Sequence, residues 1–377
     1  MKISQKSQSP PFIHPMNRFQ FFLTLSTCSL LALAVSGCKT APRTGDIAPR
    51  TGDEIVVAGK FVHTGTRVVT WMDPGGYDAY RVERRFSPVD KAGWKETETE
   101  DPKYMESPNR YNMRHSTNFS AAQLEQLRGG GWDLPTLQDV VDQFVLHFDV
   151  CGTSRQCFKI LHDRRDLSVH FMLDIDGTIY QTLDVKERAW HATSSNSRSV
   201  GIEIANMGAY PVNGKNPFAE WYKKGADGQT ILTLPPEYGD GGLYTKGFVG
   251  HPARPNPVVG EIQGKELIQY DYTPQQYQAL VHLTAALCQV LPKIKCDYPK
   301  DAQGKLIRTK LPDAELEAYQ GILGHYHIQM NKVDPGPALQ WDYLVKNARK
   351  LMHGRACQDG FSPMANQTSL GHMRQNN

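Results

Sequence analysis

The hydrophobic and polar positions of this chain form their clearest patterns after residue 137. Four short apolar runs predict strands; they cover residues 140–146, 169–175, 178–183 and 199–205. The first run carries His147 at its C-terminal end. Asp176-Gly177 separates the second run from the third and predicts a β-hairpin, because both residues tolerate positive φ.

Helix signals alternate with these runs. Thr153 with Gln156, and Thr273 with Gln276, have the spacing of capping boxes, and Pro274 stands at the first helical position of the second helix. A third helix is predicted from apolar residues at helical spacing, namely Trp341, Leu344, Val345, Ala348, Leu351 and Met352. Strands interleaved with helices predict an α/β fold in which helices cover both faces of a sheet.

The same patterns divide the chain into segments. We predict an export signal at 1–38, a tether at 39–54, an N-terminal extension packed on the main domain at 55–136, the main domain at 137–353 and a polar tail at 354–377. The tether is predicted from two copies of Ala-Pro-Arg-Thr-Gly-Asp. Residues from about 207 to 271 are rich in Gly, Pro and Tyr without clear periodicity, and are predicted to be a surface insertion.

The N-terminus has the features of a signal peptide. Arg18 precedes a short, interrupted apolar stretch that ends in Val35-Ser36-Gly37-Cys38. Small residues before a cysteine resemble the lipobox of bacterial lipoproteins, in which that cysteine is lipidated. The alternatives are a plain cleaved signal and, less favoured because the stretch is short for a ~20-residue crossing, a membrane-spanning helix. Lys39 favours sorting to the outer membrane, so we predict a lipid-anchored envelope protein that faces the periplasm.

Composition narrows the class of partner. Hydrophobic residues make up 40% and charged residues 21% of the chain, which fits a globular protein with a real core. The net charge of +3, without a long Lys/Arg run, gives no support to nucleic-acid binding.

Five cysteines remain after Cys28 and Cys38 are assigned to the signal: Cys151, Cys157, Cys288, Cys296 and Cys357. An exported protein permits disulfides, and the economical local pairs are the first two and the next two. A cysteine metal cluster is disfavoured because no Cys-x-x-Cys spacing occurs.

Polar residues of catalytic type gather near the C-terminus. The segment 324–337 holds His325, Lys332 and Asp334 and ends in a rigid Pro-Gly-Pro. Together with His147 they offer two imidazoles and one carboxylate, a set that suits zinc with one position left open. A water bound there becomes a nucleophile near neutral pH, so we predict one zinc ion per chain and a hydrolytic site.

Seven short motifs follow one another in the order of a known family. They are Leu146-His147, Ser168-Val169-His170-Phe171, Asp176-Gly177-Thr178-Ile179-Tyr180-Gln181, Arg188-Ala189-Trp190-His191-Ala192, Ser199-Val200-Gly201-Ile202-Glu203-Ile204, Gly324-His325 and Lys332-Val333-Asp334-Pro335-Gly336-Pro337. Over roughly residues 140–350 the chain resembles the type 2 N-acetylmuramoyl-L-alanine amidases, relatives of the peptidoglycan recognition proteins. The resemblance implies a central mixed β-sheet flanked by helices on both faces. It also implies zinc-dependent hydrolysis of the amide bond between N-acetylmuramic acid and L-alanine in peptidoglycan or muropeptides.

The resemblance also implies individual roles. His147, His325 and Asp334 become the zinc ligands. Glu203 becomes the general base, and Lys332 the cation that stabilises the developing oxyanion. The residues support the role of Glu203 independently, because an unpaired carboxylate buried in a strand costs several kcal/mol and is normally paired or functional.

Two departures from the family pattern concern the second histidine ligand. His325 and Asp334 are nine positions apart, about one fewer than is usual in the family. His327 stands where the family often has Asp and is a rival ligand, although the Gly before His325 favours His325.

Further roles are carried by the resemblance alone. His191 and Asn196 are implied substrate contacts, with a structural imidazole as the alternative for His191, and His170 is a candidate core histidine. A Cys151–Cys157 disulfide, as in the recognition proteins, would brace the loop that follows the first zinc ligand.

Two classes of function fit this sequence. The favoured one is a peptidoglycan or muropeptide amidase held at the membrane by a lipid anchor. The alternative is a non-catalytic peptidoglycan-binding protein, but such proteins typically lack a zinc ligand, and this chain keeps all three together with Glu203. Intact murein and released anhydro-muropeptides both contain the scissile bond, and both remain candidate substrates.

Overall fold

The computed structural model describes residues 41–81, 85–86, 110–116, 119–128 and 130–354. The predicted signal with Cys38 lies outside the described residues, and so does the predicted tail with Cys357 except for its first residue, Gly354. Within the part that is described, no helix is both long enough and apolar enough to cross a membrane.

Short strands and a few helices make up the described chain. The strands are β1 (Glu54–Val57), β2 (Lys60–His63), β3 (Val68–Thr70), β4 (Tyr111–Met113), β5 (Gln143–Phe148), β6 (Phe171–Leu173), β7 (Ile179–Gln181), β8 (Glu187–Ala189), β9 (Ser199–Ile204), β10 (Tyr210–Pro211), β11 (Tyr222–Lys224), β12 (Thr230–Leu232), β13 (Val258–Ile262), β14 (Lys265–Gln269) and β15 (Gly321–Gly324). The helices are α1 (Ala121–Arg128), α2 (Leu134–Val140), α3 (Ser154–Arg165), α4 (Phe218–Trp221), α5 (Pro274–Val290), α6 (Asp313–Ala318) and α7 (Trp341–Met352).

A six-stranded sheet forms the centre of the fold, in the order β15-β5-β9-β6-β7-β3. The neighbours from β15 to β6 are parallel, whereas β7 runs antiparallel to β6 and parallel to β3. The antiparallel step is the predicted hairpin around Asp176-Gly177, where Gly177 has the positive φ of 83° that the turn requires. The sheet is mixed, as predicted.

Helices cover both faces of this sheet, which confirms the predicted fold class. On one face, Phe144 and Ile202 pack in a single core with Leu280 of α5 and Leu344 of α7. On the opposite face, Met172 packs with residues of α3. Alternate side chains of a strand point to opposite faces. His147 and Glu203, paired in register across β5 and β9, therefore share the face opposite to α5.

The predicted N-cap residues of two helices lie at the C-terminal edge of the parallel strands. Thr273 and Gln276 form the predicted capping box of α5, with hydrogen bonds of 3.1 and 2.9 Å. The Thr273 hydroxyl also donates to the carbonyl of Ile175, just after β6. Thr153 caps α3 by accepting from the Gln156 amide. Both helices thus begin beside the edge where His147 lies.

The prediction of a free tether at 39–54 is wrong for the residues that the structure describes. Its described residues belong to the folded body: the Gly45 amide donates to the His63 carbonyl at 2.7 Å, and the Ala48 amide donates to the Phe61 carbonyl at 3.1 Å. Arg50 donates to the carbonyls of Glu54 and Val68. The polar repeat suggested a free chain, but backbone groups pair with β2 without needing apolar side chains.

The N-terminal extension does more than pack on the main domain. Its strand β3 is the edge strand of the central sheet, beside β7. β4 pairs antiparallel with β8, in the middle of the predicted main domain. The extension and the main domain therefore share secondary structure.

The surface insertion predicted at about 207–271 contains regular structure that no sequence pattern indicated. It holds a three-stranded sheet, β10-β14-β13, and the hairpin β11-β12. Aromatic side chains hold these small elements together, with Met207, Phe218, Trp221 and Tyr222 buried in one cluster. Strands of two to five residues are too short to show a period of two along the sequence.

Candidate active site

Three predicted site residues converge at one edge of the sheet. His147 lies near the end of β5, and His325 opens a short helical turn directly after the neighbouring strand β15. Asp334 returns to the same place from the loop that follows. Nδ1 of His147 and Nδ1 of His325 are 3.0 Å apart, and Oδ2 of Asp334 lies 2.9 and 3.0 Å from them. All three residues are buried.

The opposite nitrogens of both histidines have partners in the protein. His325 Nε2 lies 2.5 Å from Oε1 of Gln329, an oxygen that only accepts, so Nε2 carries the proton. His147 Nε2 lies 3.0 Å from Nδ1 of His191, whose Nε2 lies 3.2 Å from the Ser199 hydroxyl. The network is satisfied when each histidine donates outward through Nε2. Both Nδ1 atoms then point their lone pairs at the common centre.

This arrangement fits a divalent metal. Two lone pairs and one carboxylate oxygen at 2.9–3.0 Å repel one another unless a cation lies among them. Metal-binding histidines almost always donate their other N–H to an outer partner, as both do here. Two imidazoles and one carboxylate are also a donor set that zinc accepts, with a fourth position left for water.

The protonation states agree with ligand roles. Burial, helped by the neighbouring His325, lowers the pKa of His147 to about 4, so its ring is neutral at pH 7. Burial acts to raise the pKa of Asp334, but His325 and His147 outweigh it and hold that pKa below its usual range. Neutral imidazoles and an ionised carboxylate are the forms that bind metals.

Glu203 stands beside this centre. Its Oε2 is buried and has no hydrogen-bond partner among the described residues. Burial first, and then the charge of Asp334, raise the pKa of Glu203 well above its ordinary value. A cation held by Asp334 would cancel the second effect. A buried carboxylate without a partner is costly, which points to a functional rather than a structural role.

A cavity of about 380 Å³ joins these residues to the surface. Its walls hold His147, His325, Asp334, Glu203, Lys332, His191, Trp190, Arg165 and Asp149 together with apolar residues of α3. The cavity therefore brings a candidate metal centre, a free carboxylate and a lysine to one concave surface, as hydrolytic chemistry requires.

The sequence profile of the N-acetylmuramoyl-L-alanine amidases matches residues 137–337, more than half of the 377-residue chain. The chain belongs to the N-acetylmuramoyl-L-alanine amidase family. The matched range contains every residue of the site described above, as well as the inserted segment at 207–271.

The similarity of this chain to other known proteins is lower. No curated protein sequence gives a match. Among solved structures, it is similar to the endolysin amidase LysCS from Clostridium intestinale, at 15% identity and a TM-score of 0.28, over 58% of this chain and 88% of that one. It is also similar to AmiD from E. coli, solved with the substrate anhydro-N-acetylmuramic acid-L-Ala-D-γ-Glu-L-Lys, at 18% identity and a TM-score of 0.30, over 55% and 57%. The family match alone assigns the chain.

The two candidate histidine ligands, His325 and His327, have different surroundings in the structure. His327 is fully buried away from the cavity, where its Nδ1 accepts from the Gly324 amide at 2.9 Å and its Nε2 donates to the Ile307 carbonyl at 2.7 Å. Both ring nitrogens hold backbone, so the structure brings His325, and not His327, to His147 and Asp334.

The predicted substrate contacts lie at different depths. His191 lines the cavity, but both its ring nitrogens are engaged within the protein, and burial lowers its pKa well below the ordinary value. Asn196 is 7% exposed and is absent from the cavity wall. Its Oδ1 accepts from the backbone amides of His191 and Ala192, at 3.1 and 2.6 Å. The geometry gives Asn196 a role in shaping the loop, and its contact with substrate stays a prediction.

The cysteines lie close together in pairs. Cys151 and Cys157 are buried in the cavity wall as free thiols, and their sulfurs are within 4.8 Å of each other. Cys288 and Cys296 are also free thiols. The predicted disulfides stay predictions. His170 is fully buried, which agrees with the core role given to it.

Two residues of the site escaped the sequence analysis. Gln329 hydrogen-bonds His325, and the only sequence feature that points to it is its position four residues after His325, in a turn. Asp149 lines the cavity two residues after His147, and its Oδ1 accepts three backbone amides, including that of Asn206. Burial raises the pKa of Asp149 to about 7. Nothing in the sequence separates these residues from ordinary loop polar groups.

Proposed function

We propose that this chain is a zinc-dependent N-acetylmuramoyl-L-alanine amidase. One observation carries the proposal: within the range matched by the family, His147, His325 and Asp334 direct three acceptor atoms at a common centre. When both rings donate outward through Nε2, the three facing atoms all present lone pairs, and a cation among them would offset their repulsion. The bond cut is the amide between the lactyl group of N-acetylmuramic acid and L-alanine.

The chain's own residues divide the chemistry among them. His147, His325 and Asp334 would hold zinc, which polarises the scissile carbonyl and lowers the pKa of a bound water. Glu203 takes the proton of the attacking water and delivers it to the nitrogen of L-alanine as the carbon–nitrogen bond breaks. Lys332, on the cavity wall, places a positive charge where negative charge develops on the carbonyl oxygen.

The setting of the reaction follows from the N-terminal residues. We propose that Cys38 is lipidated and that the enzyme acts on peptidoglycan or muropeptides from the envelope side of a membrane, facing the periplasm. The small-residue sequence before Cys38 supports this. Metabolic labelling of cells with radioactive palmitate should label the wild-type chain and leave the Cys38→Ser variant unlabelled.

The activity is tested by digesting two substrates with the purified protein, intact sacculi and 1,6-anhydro-muropeptides. Mass spectrometry should detect free peptides that begin with L-alanine, and a chelator should abolish their release until zinc is restored. The ratio of the two rates identifies the preferred substrate. Binding to sacculi without any peptide release would establish the non-catalytic alternative instead.

Gln329→Leu should weaken zinc binding by about 10–100-fold, because the change removes the acceptor that fixes the proton of His325 on Nε2. Competition with a fluorescent chelator measures the effect. Gln320→Leu is the matched control, since Gln320 is exposed and remote from the histidines. Equal zinc affinity in both variants would contradict the outer-partner role of Gln329.

A further inference from the structure

A short strand from outside the family-matched range pairs with the strand that leads into the wall of the active-site cavity. Residues 110–116 belong to the N-terminal extension, whereas the match begins at residue 137. Within this segment β4 pairs with β8, in the register Tyr111↔Ala189, Asn112↔Arg188 and Met113↔Glu187. β8 leads directly into Trp190 and His191, two residues of the cavity wall.

Arg114 fastens both ends of the loop that carries this wall. Its side chain is fully buried. Nε and Nη2 donate to the Val185 carbonyl at 3.0 and 2.8 Å, and Nη1 donates to the carbonyls of Asn196 and Ser197 at 3.3 and 3.1 Å. One guanidinium thus joins residue 185, before β8, to residues 196 and 197, which precede β9.

The same segment holds Trp190 directly. Oδ1 of Asn112 accepts from the Trp190 indole nitrogen at 3.4 Å. The Ser168 hydroxyl accepts from the Trp190 amide at 3.0 Å and donates to the backbone carbonyl of Arg110. The extension therefore contacts Trp190, a residue of the cavity wall, directly through the Asn112 side chain and through Ser168 from the Arg110 carbonyl.

From Arg114 the contacts continue to the candidate metal centre. Arg114 holds the carbonyl of Asn196, and the Asn196 side chain accepts from the amide of His191. His191 in turn lies 3.0 Å from Nε2 of His147. Three successive hydrogen bonds separate the guanidinium from a ring that the proposed function assigns to zinc.

We propose that the segment 110–114 of the N-terminal extension is a positioning element of the active site, with Arg114 as its central residue. It fixes the loop from Trp190 to Asn196 and, through His191, the orientation of the His147 ring. The inference rests on the proposed function. It assigns to the extension a part in metal binding and substrate binding in addition to its part in the fold.

The burial of Arg114 supports a specific role. In the described part of the chain, its guanidinium contacts three backbone carbonyls and the His170 ring and forms no ion pair. Burial lowers the pKa of Arg114 to about 9, although Glu187 and Asp184 oppose the shift. A buried cation held by carbonyls is expensive, and a hydrophobic side chain would fill the space at lower cost. What a hydrophobic side chain lacks is the set of donors that ties three carbonyls together.

The test compares two arginines from the N-terminal part of the chain that both hold backbone carbonyls. Arg114→Met removes the donors to the loop, whereas the control Arg50→Met removes donors to the carbonyls of Glu54 and Val68, away from the cavity. Both variants are assayed at a temperature where circular dichroism shows full folding. Arg114→Met should weaken zinc binding about tenfold and raise KM for a muropeptide severalfold. Arg50→Met should change both by less than about twofold.

A milder variant guards against misfolding of Arg114→Met. Asn112→Leu, at a half-buried position, removes the acceptor of the Trp190 indole but leaves Arg114 in place. It should raise KM with little change in zinc affinity. Equal effects of Arg114→Met and Arg50→Met, together with an unchanged KM in Asn112→Leu, would overturn the inference. A wild-type chain that neither binds zinc nor releases peptide would overturn the proposed function instead.

Discussion

Glu203→Gln should lower the turnover number by about 10²–10⁴-fold and leave zinc binding nearly unchanged. Glutamine keeps the size of glutamate but accepts no proton, so the attacking water loses its base. Zinc is retained because the ligand atoms come from His147, His325 and Asp334. Turnover of a muropeptide, measured beside metal content by atomic emission, gives both quantities on one sample.

Glu261→Gln supplies the control, since this exposed glutamate on β13 lies away from the cavity and its loss should leave turnover within about twofold. A Glu203→Gln variant with normal turnover would show that another group takes the proton. Asp149 would then be the next candidate, because it is the other carboxylate of the cavity wall with an oxygen that no described residue hydrogen-bonds.

His325→Ala should abolish stoichiometric zinc binding and, with it, peptide release. One of three converging donors is lost, so the affinity should fall by more than the roughly 10–100-fold expected for loss of an outer hydrogen-bond partner. Equilibrium dialysis against buffered zinc measures the loss. Added zinc at high concentration should restore only part of the activity, because the remaining two ligands hold the ion loosely.

His327→Ala is the informative comparison for this second prediction. Its ring holds the backbone at Gly324 and Ile307, so its removal should lower the free energy of unfolding by about 1–3 kcal/mol while the folded variant still binds zinc. Zinc binding lost in His327→Ala and kept in His325→Ala would reverse the assignment of the ligand.

The two predictions separate binding from chemistry in one cavity. A chain that loses turnover with zinc in place has lost the proton acceptor, whereas one that loses both has lost the metal. The same distinction applies to Arg114, whose substitution should act on zinc affinity and KM through hydrogen bonds and without contact to substrate.

The sequence predicted the core of the fold because local and global signals agree there. The capping box of Thr273 and Gln276, the turn at Gly177 and the continuous apolar run before His147 each specify an element by short-range physics. The family resemblance placed His147, His325 and Asp334 in one site, and the structure brings them within hydrogen-bonding distance.

The sequence failed where structure depends on partners remote along the chain. The segment 39–54 was predicted to be a free tether because its repeat is polar, yet backbone groups of Gly45, Asp46 and Ala48 pair with β2. The insertion looked irregular because its strands are short, yet an aromatic cluster holds them in two small sheets. In both cases the stabilising contacts carry no periodic signature.

By itself, the sequence determined the α/β architecture, the family and the kinds of residue that meet in the site, since these follow from hydrophobic periodicity, capping and ordered motifs. Only the tertiary structure shows that His325 rather than His327 lies beside His147 and Asp334, that Gln329 and Asp149 belong to the site, and that Arg114 reaches the loop behind His191. The physical reason is that hydrogen bonds between side chains far apart in sequence depend on position in space, and a linear pattern does not record that position.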